Sequence, residues 1–107
     1  MNDINSGSEV GRLTLQDDLT IYNAIESKRQ LIEAVRATNT LELDLSQVHE
    51  MDSAGFQLLV LAKREALSLG RNLRIIAHSP AVLEVIEFYN MVAFFGDPVV
   101  IPAAARQ

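Results

Sequence analysis

The stretch from Leu41 to Gly55, LELDLSQVHEMDSAG, decides the fold because it joins a strand to a helix. Apolar and polar residues alternate strictly in Leu41–Leu45, which predicts a β-strand with one buried face. After the loop Ser46–Asp52, apolar residues recur at helical spacing from about Ala54 to Leu69. Gly70 is typical of the position just after a helix C-terminus. A strand, a loop and a helix in this order predict one unit of an α/β fold.

The alternation of strands and helices continues in both directions from this stretch. Helical periodicity predicts a first helix from Asn23 to about Ala37, and Ser79-Pro80 begins a third helix that ends at Asn90. The other predicted strands are Arg12–Leu15 and Leu19–Tyr22 as a hairpin-like pair, Leu73–Ala77 as a central strand, and Val99–Ile101 as the last one. We therefore expect an α/β fold with three main helices and a mixed, mostly parallel sheet of four to five strands.

The domain is predicted to fill residues 10–101, between a flexible polar segment at 1–9 and a flexible tail at 102–107. Its second helix carries an apolar stripe, which we expect to be buried. The members of the stripe are Leu58, Leu61, Ala62 and Leu69, flanked by Leu59 and Ala66.

Composition excludes several classes of protein. The chain has 107 residues, which fits one domain, and it has no cysteine for disulfides, thiolate nucleophiles or Cys-based zinc sites. Its formal net charge of −5 and its scattered Lys and Arg residues argue against nucleic acid as a partner. The polar start lacks the pattern of a secretory signal, and the apolar runs are far shorter than the ~20 residues that span a bilayer. We expect a cytoplasmic protein that is not embedded in a membrane.

Asp52 and Ser53 stand where the second helix begins, and two roles fit them. In a structural role, either side chain caps the helix by accepting hydrogen bonds from its unpaired N–H groups, and Gly55 permits close approach of helix and sheet. In a regulatory role, Ser53 is a phosphate acceptor. Phosphorylation adds roughly −1.5 to −2 charge, which a helix N-terminus tolerates but which a docked partner meets as repulsion. The residue types alone leave both roles open.

The motifs of this region resemble the STAS family, the anti-sigma-factor antagonists. The resemblance rests on the strand end Leu43–Val48, on Met51–Gly55 and on the Leu-rich helix that follows. It continues through Leu73–Ile76 and the helix after Pro80, so that it covers residues 10–101. The resemblance implies a STAS-type fold and a binding module that is not an enzyme and has no cofactor.

In such antagonists the serine of the D-S-x-G loop is phosphorylated by a partner serine kinase, a histidine-kinase-like ATPase that is also the anti-sigma factor. The unmodified antagonist binds that partner, and the phosphorylated form releases it. The resemblance thus implies a bacterial signalling protein, monomeric or weakly dimeric, with Ser53 as its phosphorylation site. The implied partner-binding residues are Thr20, Tyr22, Asn23, Met51, Asp52, Ser53, Ala54, Gly55 and Phe56.

The chain departs from the antagonist pattern at named positions. Ala54 stands where some antagonists have a second Ser, and Leu19-Thr20 stands where sporulation and stress antagonists generally have Leu-Asp. Leu19–Tyr22 and Ala93–Pro98 look more like STAS proteins encoded among chemotaxis genes, which makes a chemotaxis signalling protein the second possible partner. The family's usual last helix is missing or reduced to Pro102–Gln107. A constitutive accessory or scaffold subunit, in a lipid-transport ABC complex or a chemotaxis assembly, stays open as the alternative.

Other chemical sites find less support in the sequence. The chain contains the residue types of a hydrolase triad in His49, Asp52 and Ser53. They lie so close together in the chain that their side chains cannot easily form the hydrogen-bonded Ser–His–Asp series. The two histidines and nearby aspartates match no metal-binding spacing, and no glycine-rich nucleotide fingerprint is present. We expect neither a metal nor a catalytic centre.

Overall fold

A parallel sheet of three strands organises the computed structural model, which describes residues 9–89. The predictions for residues 1–8 and for 90–107, including the last strand and the tail, lie outside the described residues. The elements in chain order are β1 (Val10–Thr14), a 3₁₀ turn (Ile21–Asn23), α1 (Ala24–Ala37), β2 (Thr40–Leu45), α2 (Ser53–Ser68), β3 (Asn72–His78) and α3 (Pro80–Phe88).

β2 is the middle strand of the described sheet, in the order β1-β2-β3. Its Leu41, Leu43 and Leu45 are buried while the residues between them are partly exposed, which confirms the predicted alternation. Leu13 of β1 and Ile75 of β3 flank Leu43, and the register with β3 shifts by one residue immediately after it. The α/β class is therefore confirmed, although β2 rather than β3 has strands on both sides in the described part.

The predicted hairpin of Arg12–Leu15 and Leu19–Tyr22 is wrong. β1 pairs in parallel with β2, and Leu19 makes a single parallel bridge to Met51. The chain then turns, because the Asn23 N–H donates to the Thr20 carbonyl oxygen at 3.0 Å. A 3₁₀ turn takes the place of the second strand, and the sheet of four to five strands is not seen among residues 9–89.

The buried face of α2 matches the predicted stripe only in part, since Ala62 is buried and Leu58 packs against the core. Leu59, Ala62 and Ala66 are fully buried, whereas Leu61 is 40% exposed and Leu69 is 45% exposed. The helix is rotated so that residues at i, i+3 and i+7 face the core. One hydrophobic core joins these side chains to apolar residues of α1, the sheet and α3.

The helix ends follow the sequence signals. Ser79 accepts a hydrogen bond from the Val82 N–H at 3.2 Å, directly before Pro80 at the start of α3. Gly70 has φ of 73°, and the Gly70 and Arg71 N–H groups bond back to carbonyl oxygens of the last turn of α2. This is a Schellman ending, in which glycine adopts the left-handed conformation. None of the helices within 9–89 has the length and apolar character needed to cross a membrane.

Lys63 of α2 faces the core, with 4% of its surface exposed. Its Nζ donates to the Asn72 side-chain oxygen and to the Leu73 carbonyl oxygen, each at 2.7 Å. Burial lowers the pKa of this ammonium group below its ordinary value of 10.5, and the charge of Arg74 lowers it further. Lys63 therefore connects α2 to the start of β3 by hydrogen bonds, although its charge loses part of its hydration in the folded state.

We expect Lys63→Met to lower the free energy of unfolding by about 1–3 kcal/mol at neutral pH, because the buried Leu73 carbonyl oxygen and the half-buried Asn72 side-chain oxygen lose the hydrogen bonds that Lys63 donates. Between the lowered pKa and 10.5 the folded state binds fewer protons than the unfolded state, so stability rises with pH in that window. Urea denaturation at several pH values should show this rise in wild type and not in Lys63→Met. Arg64→Met, an exposed neighbouring change, is the control, and equal loss in both variants would contradict the assignment.

Candidate functional site

The segment before α1 is joined to the loop before α2 by backbone hydrogen bonds. The Leu19 N–H donates to the Glu50 carbonyl oxygen at 3.0 Å, and the Asp52 N–H donates to the Leu19 carbonyl oxygen at 3.1 Å. The Leu19 side chain between them is fully buried. These contacts fix the two chain segments against each other at the carboxyl ends of the strands.

Asp18 also binds the segment before α1 to the loop before α2. One of its carboxylate oxygens accepts from the His49 N–H at 2.8 Å and from the Glu50 N–H at 3.0 Å. Its backbone carbonyl accepts from the Asn23 side-chain amide at 3.0 Å. Asp18 falls between the two strands of the hairpin that the sequence predicted, and its contacts with residues 49 and 50 could not be found without the tertiary fold.

Asp52 caps α2 and also binds the segment before α1. One carboxylate oxygen accepts from the Gly55 N–H at 2.9 Å, and the other accepts from the Ile21 N–H at 3.0 Å. These hydrogen bonds, that of Ile21 foremost, hold the pKa of the Asp52 carboxyl below its usual value. Of the two predicted capping residues, Asp52 is the one that performs this role.

Gly55 allows α2 to approach the Leu19 backbone. A Cβ atom at this position would overlap the carbonyl group and Cβ of Leu19. The predicted close approach is found, but its partner is the segment that follows β1 rather than a strand of the sheet.

Ser53 is the first residue of α2, and its side chain is exposed. Among residues 9–89 its hydroxyl has no hydrogen-bond partner, because Asp52 already supplies the cap. The hydroxyl is therefore accessible and unused by the fold.

Two shallow clefts meet at Asp52. The Ser53 cleft has a volume of about 320 Å³ and includes Phe88 and Tyr89 at the end of α3. The Glu50 cleft has a volume of about 420 Å³ and includes Thr20, Tyr22, His49 and Ala81. The wall that both clefts share consists of Met51, Asp52, Glu84 and Val85.

Helix α3 supplies site residues that sequence analysis did not identify. Glu84 and Val85 line both clefts, and Tyr89 stacks on Phe56 with ring centroids 4.2 Å apart and planes inclined by 14°. Phe88 is 80% exposed beside them. The spacing of these residues places them on one helix face, which was a usable signal, but nothing in the sequence alone directs that face toward Ser53.

The comparisons with known proteins agree with this architecture. The family model described as Mlab, STAS domain, matches residues 3–96. The chain belongs to the STAS family. A solved structure of the anti-sigma factor antagonist SpoIIAA in its unphosphorylated form is similar to this STAS domain at a TM-score of 0.59 and 18% sequence identity, over 80% of this chain and 79% of that one. A search of curated proteins gives no match.

The fold of this STAS domain gathers most of the residues that the resemblance pointed to. Thr20, Met51 and Asp52 line the clefts together with Ser53, and Tyr22 is 92% exposed at the rim. Ala54 is half-buried and Asn23 is bonded to Asp18. Gly55 and Phe56 are buried, so within this site they serve as supports beneath the surface.

The residues considered for other chemistry are distributed over both clefts. His49 lines the Glu50 cleft, whereas Ser53 lines the other. In the described range 9–89, no three His, Asp or Glu side chains are grouped closely enough to hold a metal ion.

Removing the Asp52 side chain should destabilise the STAS domain more than removing the Ser53 hydroxyl. We expect Asp52→Ala to cost about 0.5–2 kcal/mol, the usual range for loss of an N-cap. Ser53→Ala should stay within about 0.5 kcal/mol, as surface changes usually do. Because the folded-state pKa of Asp52 is lowered, its contribution is present above pH 3.8 and is lost as the pH falls through that lowered pKa. Chemical denaturation at neutral and acidic pH measures the free energy of unfolding of each variant and its pH dependence. An equal loss of free energy in the two variants would assign the cap to Ser53 as well.

Gly55→Ala should lower the free energy of unfolding by about 1–3 kcal/mol, because the added methyl forces α2 away from the Leu19 carbonyl. Gln57→Ala, an exposed change in the same helix, should have little effect. Thermal denaturation of both variants tests this, and a Gly55→Ala variant as stable as Gln57→Ala would show that the helix can shift freely.

Proposed function

We propose that this STAS domain is a cytoplasmic regulatory module that binds a protein partner and is controlled by phosphorylation of Ser53. The unphosphorylated form binds the partner, and the phosphorylated form releases it. The domain performs no catalysis of its own in this scheme. The partner that it binds is also the kinase that modifies it, or acts together with that kinase.

The observation that carries this proposal is the exposed Ser53 hydroxyl, which the fold does not use. Asp52 accepts the capping hydrogen bond, and the Ser53 side chain stands in an open cleft. A kinase can therefore reach the hydroxyl without unfolding the helix. A serine at the N-cap position would accept a hydrogen bond from the helix backbone, but Asp52 occupies that position and Ser53 is the residue after it.

A phosphate on Ser53 would be tolerated by the fold and would disturb a docked partner. The positive end of the α2 dipole lies beside it, so the added charge need not weaken the helix. The same phosphate enlarges a side chain in the cleft and places about two negative charges beside Asp52 and Glu84. Any partner surface that fits closely over the unmodified cleft must then accommodate extra volume and charge.

The family supports an antagonist-like role. The similar solved structure is that of an anti-sigma factor antagonist in its unphosphorylated form. By this likeness the proposed partner is an anti-sigma factor with serine kinase activity of the histidine-kinase-like ATPase type. Thr20 stands where such antagonists generally have an aspartate, and a chemotaxis signalling protein is therefore the other partner to look for.

Affinity capture from a lysate of the native host tests the proposal, with wild type, Ser53→Ala and a chain carrying phosphoserine at position 53 as baits. We expect a kinase-like ATPase or a signalling protein to be retained by the first two baits and lost from the third. Mass spectrometry identifies the partner, and mapping of Ser53 on the recovered wild type shows whether the host modifies it. The association constant for the purified partner should fall at least tenfold when Ser53 is phosphorylated.

Gln47→Glu is the charge control, because it adds a negative charge to an exposed loop at the same end of the sheet outside both clefts. It should retain the partner. Identical partners on the phosphorylated and unmodified baits would contradict the switch and favour a constitutive accessory, and a transport ATPase among them would point to a transport complex.

A further inference from the structure

We propose that the Glu50 cleft receives an arginine or lysine side chain of the protein partner, with Glu50 and Glu84 as the residues that select it. This inference rests on the proposed function, since it describes how the partner of that same site is recognised. It concerns the cleft beside the one that contains Ser53.

The first argument is the charge of the lining. Glu50 comes from the loop before α2 and Glu84 from α3, and both side chains are exposed. Within residues 9–89, neither carboxylate has an ion pair, and no Lys or Arg lines either cleft. The arginines that form ion pairs do so elsewhere: Arg12 with Glu42, Arg29 with Glu26 and Glu33, and Arg36 with Glu65. The cleft is therefore left with uncompensated negative charge that a partner can neutralise.

The second argument is the apolar surface between the carboxylates. Met51, Ala81 and Val85 line the same cleft, and the exposed Tyr22 ring stands at its rim. A long side chain with an aliphatic stem and a cationic head matches this lining, because the stem covers apolar surface while the head pairs with carboxylates. A purely apolar side chain would leave Glu50 and Glu84 partly desolvated without a counter-charge, and an acidic side chain would be repelled.

The third argument is that Asp52, which lines the same cleft, is already held by hydrogen bonds of the fold to its carboxylate, whereas within residues 9–89 the carboxylates of Glu50 and Glu84 are not. Both of its carboxylate oxygens already accept backbone N–H groups, those of Ile21 and Gly55. Glu50 and Glu84 retain their accepting capacity for a partner. Glu50 lines the Glu50 cleft alone, whereas Glu84 stands in the wall that this cleft shares with the Ser53 cleft.

The test uses the full chain, labelled with ¹⁵N, and the peptide acetyl-Leu-Arg-Leu-amide as the probe. The matched control peptide replaces arginine by citrulline, which has nearly the same shape and no charge. We expect saturable shift changes at the backbone amides of residues 20–22, 50–52 and 81–85. Glu50→Gln and Glu84→Gln should each bind the arginine peptide about two- to fivefold more weakly, as for the loss of one exposed ion pair. The citrulline peptide, which loses both pairs, should bind wild type at least as weakly as either variant binds the arginine peptide.

Glu87→Gln is the control variant, because it removes a carboxylate from the same helix at a position outside both clefts. It should bind the arginine peptide like wild type. No saturable shifts, equal binding of the citrulline peptide, or a loss in Glu87→Gln as large as in Glu84→Gln would overturn the inference. The assay contains no kinase and no phosphate, so its failure leaves the Ser53 proposal standing, and failure of the Ser53 switch leaves this result interpretable.

Discussion

The pairing of Leu19 with the loop before α2 fixes the positions of that loop and of the start of α2, on which Asp52 and Ser53 depend. Leu19 is buried between a hydrogen bond to Glu50 and one from Asp52, and its carbonyl group lies directly against Gly55. Because the loop is fixed on this side, Asp52 can point one carboxylate oxygen into α2 and the other toward Ile21. The direction of α2, the turn into α1 and the exposure of Ser53 all depend on this contact.

Asp52 and Ser53 illustrate how neighbouring residues of similar capping ability take different roles. A carboxylate that accepts backbone N–H groups is favoured over a hydroxyl because charge strengthens each hydrogen bond, and the lowered pKa of Asp52 expresses the same preference. Once the carboxylate occupies the cap, the serine side chain has no structural task among the described residues. Its hydroxyl is then free to change chemically while the helix start stays intact, which is the property that a regulatory site needs.

Much of the fold could be predicted from the sequence, because local rules decide it. Alternation predicted β2, Ser79-Pro80 predicted the start of α3, and Gly70 predicted the end of α2. The prediction of a hairpin was wrong because residues 19–22 are β-prone in isolation. In the fold, the Ile21 N–H donates to the carboxylate of Asp52 and is not available to pair with a neighbouring strand. The prediction of the buried face of α2 was partly wrong for a similar reason. Leu61 is as apolar as Leu59, and only packing against the sheet and α1 decides which of them is buried.

The sequence predicted where the site lies in the fold, but it predicted only some of the residues that line it. In a parallel sheet the carboxyl ends of all strands lie at one edge, and loops at that edge are the usual position of binding residues. The loop after β2 and the start of α3 after β3 meet there, and the Ser79 N–H donates to the Leu45 carbonyl oxygen at 3.2 Å. This bond anchors α3 where its later turns reach the clefts, so Glu84 and Val85 become neighbours of Asp52. The resemblance pointed to this loop, to the segment before α1 and to the first turn of α2. The carboxylate of Glu84 reaches the clefts from a helix more than thirty residues after the loop, and no motif contains it.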